Sequence, residues 1–272
     1  MASPNQITPQ QLSRLIGTPD CPPIIDLCLD EDFALDPRLI PGAMRHDFTD
    51  IDGLINQARE GRLLVYCQKG LKISQGTAAL LRARGIGAET LEGGQIAWVT
   101  AGLPTVKATA IPRSQFSPHS LWVTRHRPKI DRIACPWLIR RFVDPGAEFL
   151  FVPPNDVSLV AEKFDATPFD IEGVPFSHQR EACSFDAMLN LFELNIPALD
   201  HLARIVRAAD TNTHHLAPEA AGLMAASLGL SRMYRDDLQQ LEAGMTLYDA
   251  FFRWARDARE ETHNWPATSK GK

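Results

Sequence analysis

Cysteine is scarce in this sequence: five residues in 272, none of them in a Cys-x-x-Cys pair. The odd, scattered set (Cys21, Cys28, Cys67, Cys135 and Cys183) argues against a disulfide framework and against a cysteine-rich zinc module, and it suits a reducing cytoplasm. Long apolar runs are also missing, so no stretch approaches a membrane span. The opening Met-Ala-Ser-Pro-Asn-Gln has neither the charged nor the apolar segment of a signal peptide. There is no cationic surplus: 28 Lys and Arg against 33 Asp and Glu give a net charge of -5, which speaks against a protein that coats nucleic acid. Internal repeats are absent. What remains is a globular composition, 44% hydrophobic and 22% charged. The length suffices for one large domain or two ordinary ones.

The first 108 residues read as α/β. Thr8-Pro9-Gln10-Gln11 carries a helix cap, a first-position proline and the glutamine of a capping box. Ile24 to Leu27 and Leu63 to Tyr66 read as short buried strands, Ile73 to Arg84 as an amphipathic helix, and Ala88 to Leu91 as a further strand. Strand, helix and strand of these lengths predict a parallel sheet flanked by helices. Gly93-Gly94 then turns the chain into a short helix around Trp98. Residues 104 to 118 are proline-rich and aperiodic, and 109–118 are expected to be a linker. Residues 119–262 are expected to form a second, mostly helical domain with a strand at Glu148 to Val152. Its helices are placed at Ala198 to Ala209, at Ala217 to Leu228, and beyond a Thr246 cap. Residues 263–272 are expected to be a disordered tail.

Cys67 stands where a buried strand hands over to a helix, in Leu63-Leu-Val-Tyr-Cys-Gln-Lys-Gly-Leu-Lys-Ile-Ser74. An inert, buried thiol is the ordinary fate of a free cysteine. Three features favour a reactive one. Open parallel sheets place their ligands at the carboxyl ends of strands. The loop Gln68, Lys69, Gly70, Leu71 and Lys72 leads into a helix N-terminus, where main-chain N–H groups converge on an anion. Lys69 and Lys72 add positive charge, which favours the nucleophilic thiolate. A Cys-x5-Arg phosphatase loop is excluded, because Ile73 occupies the position its arginine would need.

These residues, with Ile24-Ile25-Asp26-Leu27, Ile40-Pro41-Gly42-Ala43, Leu91-Glu92-Gly93-Gly94 and Trp98, resemble a single rhodanese domain in order and spacing. The resemblance implies sulfur transfer through a persulfide on Cys67. The loop from Gln68 to Lys72 would hold the substrate. The implied partners are a small sulfur donor such as thiosulfate and a thiol or cyanide acceptor, and no cofactor is required. The match departs from the family at Cys28, where many members carry arginine, and at Gln68 and Lys72. A lysine is a point charge and does not grip a flat oxyanion bidentately.

The densest charge lies at Thr124 to Arg141, where Arg125, Arg127, Lys129, Arg132, Arg140 and Arg141 face a lone acidic residue, Asp131. This reads equally as a solvated basic face or as an oxyanion pocket, with Arg125 and Arg132 as its forked donors. Nucleic-acid contact is not favoured, since no helix-turn-helix pattern precedes the stretch. Pro136 is expected in the first turn of a helix that buries Trp137, Leu138 and Phe142. His178 and Glu181 fall in a loop before a helix that Ser184 is expected to cap, and Asp210, His214 and His215 follow a later helix. Carboxylates and imidazoles gathered from separate segments build oxygen/nitrogen metal sites, so Asp131, His178, Glu181 and Asp210 are the candidate ligands of a divalent metal. On spacing alone the ordinary reading leads: turn, loop and surface residues.

From about Leu121 to Ala258 the sequence resembles the C-terminal domain of the chromate-resistance ChrB family. The residues that carry the resemblance are Asp131 to Phe142, Glu148 to Val152, His178 to Phe185, Ile205 to Asp210 and Ala217 to Gly229. It implies a role in chromate sensing or resistance, with chromate or another oxyanion as a partner. The expectation is thus a cytoplasmic, persulfide-forming sulfurtransferase coupled to chromate stress. The alternative is a non-catalytic oxyanion or metal sensor in which the first domain serves as scaffold or sulfur carrier.

Overall fold

Thr8 opens the first helix in the computed structural model, which describes residues 5–261. Its hydroxyl accepts from the Gln11 N–H at 3.2 Å and its own N–H donates to the Gln11 side chain at 2.9 Å, so the capping box closes as expected. The tail expected over 263–272 lies outside the described residues.

The first half is built from β1 (Gln6–Ile7), α1 (Pro9–Leu15), β2 (Ile24–Asp26), α2 (Asp30–Leu35), β3 (Arg38–Leu39), β4 (Ala43–Arg45), α3 (Ile51–Gln57), β5 (Arg62–Tyr66), α4 (Lys72–Ala83), β6 (Gly87–Leu91), α5 (Gly94–Thr100) and β7 (Val106–Lys107). Five of these strands form a parallel sheet in the order β1-β6-β5-β2-β4. Successive residues of β5 point to opposite faces. Leu63, Val65 and the following Cys67 join Ile25, Leu54, Ala78 and Leu81 on one face. Leu64 and Tyr66 join Ile24, Leu91 and Trp98 on the other. Both faces are therefore apolar, as a fully covered parallel sheet requires.

The second half contains β8 (Leu121–Arg125), α6 (Asp131–Leu138), β9 (Glu148–Val152), α7 (Val157–Lys163), β10 (Thr167–Pro168), α8 (Ser184–Phe192), α9 (Pro197–Asp210), α10 (Ala220–Met233) and α11 (Asp237–Asp257). It is mostly helical, but β8 and β10 join β9 in a three-stranded parallel sheet of order β10-β8-β9 that the sequence did not announce.

Several helix boundaries differ from expectation. Pro136 lies inside α6 rather than in its first turn, because the helix already begins at Asp131. Proline supplies no N–H to the preceding turn, and just beyond it the chain widens into a π-turn at Ile139–Val143. Cys183, not Ser184, is the cap of α8, and its N–H donates to the Asp186 carboxylate at 2.9 Å. Asp236 caps α11 through the Gln239 N–H at 2.8 Å, and Thr246 is interior because Leu241 and Met245 extend the buried stripe backwards from Tyr248. The helix expected from Ala217 starts at Ala220, after a 3-10 turn at His214–Leu216.

The two halves share one apolar cluster, which runs from Ile16, Ile40 and Trp98 to Phe142, Tyr248 and Phe252. Gly17 has φ +79°, and a Cβ there would stand 2.3 Å from the Phe142 ring. The Gly42 N–H donates to the Phe142 carbonyl at 2.7 Å. Between the halves, Ala108–Ala110 forms a 3-10 turn whose first N–H reaches the Pro37 carbonyl at 3.1 Å, with Ala108, Ala110 and Ile111 packed on the core. Among the described residues no helix is long and apolar enough to cross a membrane.

Candidate functional site

Cys67 directly follows β5, and the loop behind it is held from outside by the turn into α5. Gln95 N–H donates to the Cys67 carbonyl at 3.1 Å and Ile96 N–H to the Gln68 carbonyl at 3.0 Å. This close approach explains two glycines. A Cβ on Gly94 would lie 2.0 Å from the Cys67 carbonyl, and one on Gly70 would lie 2.6 Å from Gly94 N. Inside the loop, Cys67 Sγ lies 3.3 Å from the Ser74 hydroxyl, which also reaches the Leu71 carbonyl at 3.3 Å, and the N–H groups of Lys69, Leu71 and Ser74 favour the thiolate. Burial alone would raise this thiol. The Ser74 hydroxyl and the loop amides outweigh it and hold the thiol below its ordinary value.

The other cysteines show the opposite balance. Burial pushes Cys21 up to about 12 and drives Cys28, Cys135 and Cys183 upward as well. Lys69, Leu71 and Lys72 are exposed, Gln68 is half-buried, and Cys67 itself is only 5% exposed. A donor must therefore offer a small terminal atom to the sulfur. On the same edge of the sheet, a cleft of about 330 Å³ is bounded by Cys28, Asp30, Arg45 and His46. Arg45, which sequence reasoning missed, reaches Asp26 at 3.2 Å and the Cys28 carbonyl at 3.2 Å, with its guanidinium 3.9 Å above the Phe33 ring. The signal was in the strand pairing: Asp26 and Arg45 are register partners across β2 and β4. Arg45 thus brings a guanidinium to the region where Cys28 departs from the rhodanese pattern.

A second constellation lies at the carboxyl ends of β8 and β10. Asp131 is the first residue of α6, and its backbone is set by Ile130, a β-branched residue at φ +41°. Such a conformation costs roughly 1–3 kcal/mol. It is held by the Tyr248 hydroxyl, which donates to the Ile130 carbonyl at 3.0 Å. His178 Nε2 stands 3.4 Å from Asp131 Oδ2, 3.4 Å from Asp170 Oδ1 and 3.1 Å from Asp210 Oδ2. Asp170 also accepts from Arg125 at 2.8 Å and from the Ser184 hydroxyl at 2.8 Å, and pairs with Arg132 at 3.2 Å. Burial and the neighbouring carboxylates push Asp131 upward. The hydrogen bond to Asp170 raises His178. Asp170 is held below its usual range by His178, Ser184 and Arg125, against the cost of burial.

The structure thus brings Asp131, His178 and Asp210 together and adds Asp170, while Glu181 is exposed and outside the cluster. Asp170 was not legible because it follows β10, a two-residue strand that contains a proline. A carboxylate at the end of a parallel strand was the available signal. Arg125 and Arg132, expected to hold an oxyanion, both turn their guanidiniums to Asp170. The rest of the basic stretch is largely structural. Arg141 forms a fork with Asp249 at 2.8 Å on both arms, Arg140 pairs with Glu242, and Arg127 donates to the Ser231 and Tyr234 carbonyls. His214 and His215 do not join the cluster.

Residues 122–255 match the family model described as ChrB, C-terminal domain. This stretch of the chain is similar to that family. Over 153 residues the chain is 35% identical to Protein ChrB of Cupriavidus metallidurans, an alignment that covers 55% of this chain and 46% of that relative. The chain therefore spans about half the length of the curated relative it matches. Over the first half it is similar to the thiosulfate sulfurtransferase from Pseudomonas aeruginosa, with 28% identity, 37% of this chain and 19% of that one covered, and a TM-score of 0.31. It is also similar to a rhodanese-like domain protein from Staphylococcus aureus, with 27% identity, coverage of 35% and 90%, and a TM-score of 0.31. The Asp131 cluster lies wholly within the residues matched by that family model, and Cys67 lies outside them.

Proposed function

We propose that the protein is a sulfurtransferase that carries a persulfide on Cys67, and that its ChrB C-terminal domain ties this activity to chromate stress. The observation that carries the reading is the setting of the sulfur at the strand end, 3.3 Å from the Ser74 hydroxyl, where the N–H groups of Lys69, Leu71 and Ser74 favour its thiolate. The Cys67 thiolate attacks the outer sulfur of thiosulfate. A new S–S bond forms on Cys67, the donor's S–S bond breaks, and sulfite leaves with the electron pair. A thiolate or cyanide then attacks the outer sulfur of the persulfide, the bond to Cys67 breaks, and the thiolate returns. Both steps are redox-neutral and need no cofactor. The same amides that favour the thiolate would hold the negative outer sulfur of the intermediate. Exposed Lys69 and Lys72 would draw the anionic donor to the loop.

Intact-mass analysis after thiosulfate treatment tests the chemistry. One added sulfur, lost on cyanide addition and absent from Cys67→Ser, is the expected result. An unchanged mass with no thiocyanate released would sink the sulfurtransferase reading. The biological role is tested separately: cells carrying Cys67→Ser are expected to lose protection against chromate. Full protection by that variant would leave the second domain acting without sulfur transfer.

A further inference from the structure

The geometry points to a divalent transition-metal site in the second domain, with Asp131, Asp170 and His178 as core ligands and Asp210 closing the set. One carboxylate oxygen each from Asp131 and Asp170 and a ring nitrogen of His178 lie within 4.8 Å of one another. The distances from His178 Nε2 to three carboxylates, 3.4, 3.4 and 3.1 Å, are the important ones. A ring nitrogen carries at most one proton and can make one good hydrogen bond, at about 2.7–3.2 Å. It cannot serve three acceptors. Ligands held about 2.1 Å from a common ion stand about 3.4 Å apart in a tetrahedral shell and about 3.0 Å apart in an octahedral one. The observed separations fall within that span.

A second observation is independent of these distances. Asp131 is 1% exposed, and among the described residues its Oδ1 has no hydrogen-bond partner. Its other oxygen is the one that accepts from the Ser184 N–H and faces His178. A buried carboxylate oxygen with no donor calls for a cation or an ordered water. The surroundings suit a ligand set, because Arg125, Arg132 and the Ser184 hydroxyl orient Asp170 much as outer-shell groups orient metal carboxylates. His178, with its side chain 40% exposed, leaves the site open to solvent. One imidazole among carboxylates selects an ion of the zinc or manganese class, whereas magnesium and calcium prefer oxygen alone.

The test uses the full chain stripped with chelator, dialysed against Zn²⁺, Mn²⁺ or Mg²⁺, and assayed for bound metal. Stoichiometric Zn²⁺ or Mn²⁺ is expected in the wild type and in Cys67→Ser, which separates this site from the sulfur chemistry. His178→Gln, which replaces a partly exposed side chain, is expected to stay folded by circular dichroism. Its binding should be weaker by more than the roughly 10–100-fold that losing a supporting hydrogen bond costs. The metal should also raise the wild-type melting temperature and leave that of His178→Gln unmoved. A folded wild type that takes up no metal, a His178→Gln protein that loads equally, or Mg²⁺ loading equal to Zn²⁺ would each overturn the assignment.

Discussion

Ser74 decides how Cys67 behaves, because its hydroxyl, 3.3 Å from the sulfur, and its N–H favour the thiolate while burial works the other way. Ser74→Ala removes the hydroxyl but keeps the amide and the helix. The balance then moves toward burial, and the thiol pKa should rise. The sign is open to measurement: the wild-type rate of alkylation by iodoacetamide should climb with pH through a midpoint below that of a free thiol, and the Ser74→Ala curve should shift to higher pH. At neutral pH the variant should accept sulfur more slowly, with thiosulfate saturation little changed. Coincident curves would mean that the amides alone set the thiolate. Sequence reasoning reached Cys67 and the amide cradle because a strand end followed by a glycine loop and a helix is a local pattern. It could not see Ser74 as a partner, since that contact depends on how the loop folds back onto the first turn of α4. In the second domain, Asp131, His178 and Asp210 were visible as residue types, whereas Asp170 joins them only through the pairing of β10 with β8.

At the scale of elements, the loop behind Cys67 keeps its shape because the start of α5 presses against it. Gly94 has φ +58°, where a Cβ costs about 1–2 kcal/mol on conformation alone. The same Cβ would meet the Cys67 carbonyl at 2.0 Å, which main-chain atoms can relieve only by moving the loop. Gly94→Ala should therefore lose most sulfur transfer while far-UV circular dichroism stays near wild type. Full activity would show that the loop does not depend on this contact. The elements themselves were legible where apolar residues keep one period within one segment: β5, α4, β6, α9 and β9 fall within about a residue or two of expectation. They were misjudged where a tertiary contact overrides the local signal. Helix α11 starts well before Thr246 because Leu241 and Met245 continue the stripe against the core, and α6 accommodates Pro136 because the residues around it are buried on nearly every side.

For the whole molecule, the apolar cluster common to the two halves predicts how the chain unfolds. The face of the parallel sheet opposite Cys67 packs Ile24, Leu64 and Trp98 into the same cluster as Trp137, Phe142 and Phe252. Phe142 is fully buried at the join: its ring lies against Gly17 and makes an edge contact with Phe252 at 5.3 Å, and its carbonyl accepts from Gly42. Replacing it with alanine removes a large ring from a place where the surrounding backbone, fixed by that hydrogen bond, collapses poorly. Such losses cost about 3–5 kcal/mol. Because the cavity opens onto both halves, Phe142→Ala should lower one shared melting transition, and the intrinsic fluorescence of Trp98 in the first half should change together with that of Trp137 in the second. If the halves were energetically separate, calorimetry would instead resolve a second-half transition moving down while the first half kept its melting temperature. A joint shift would also mean that stabilising the Asp131 cluster with metal stabilises the sheet that presents Cys67, a coupling between two sites that need share no ligand.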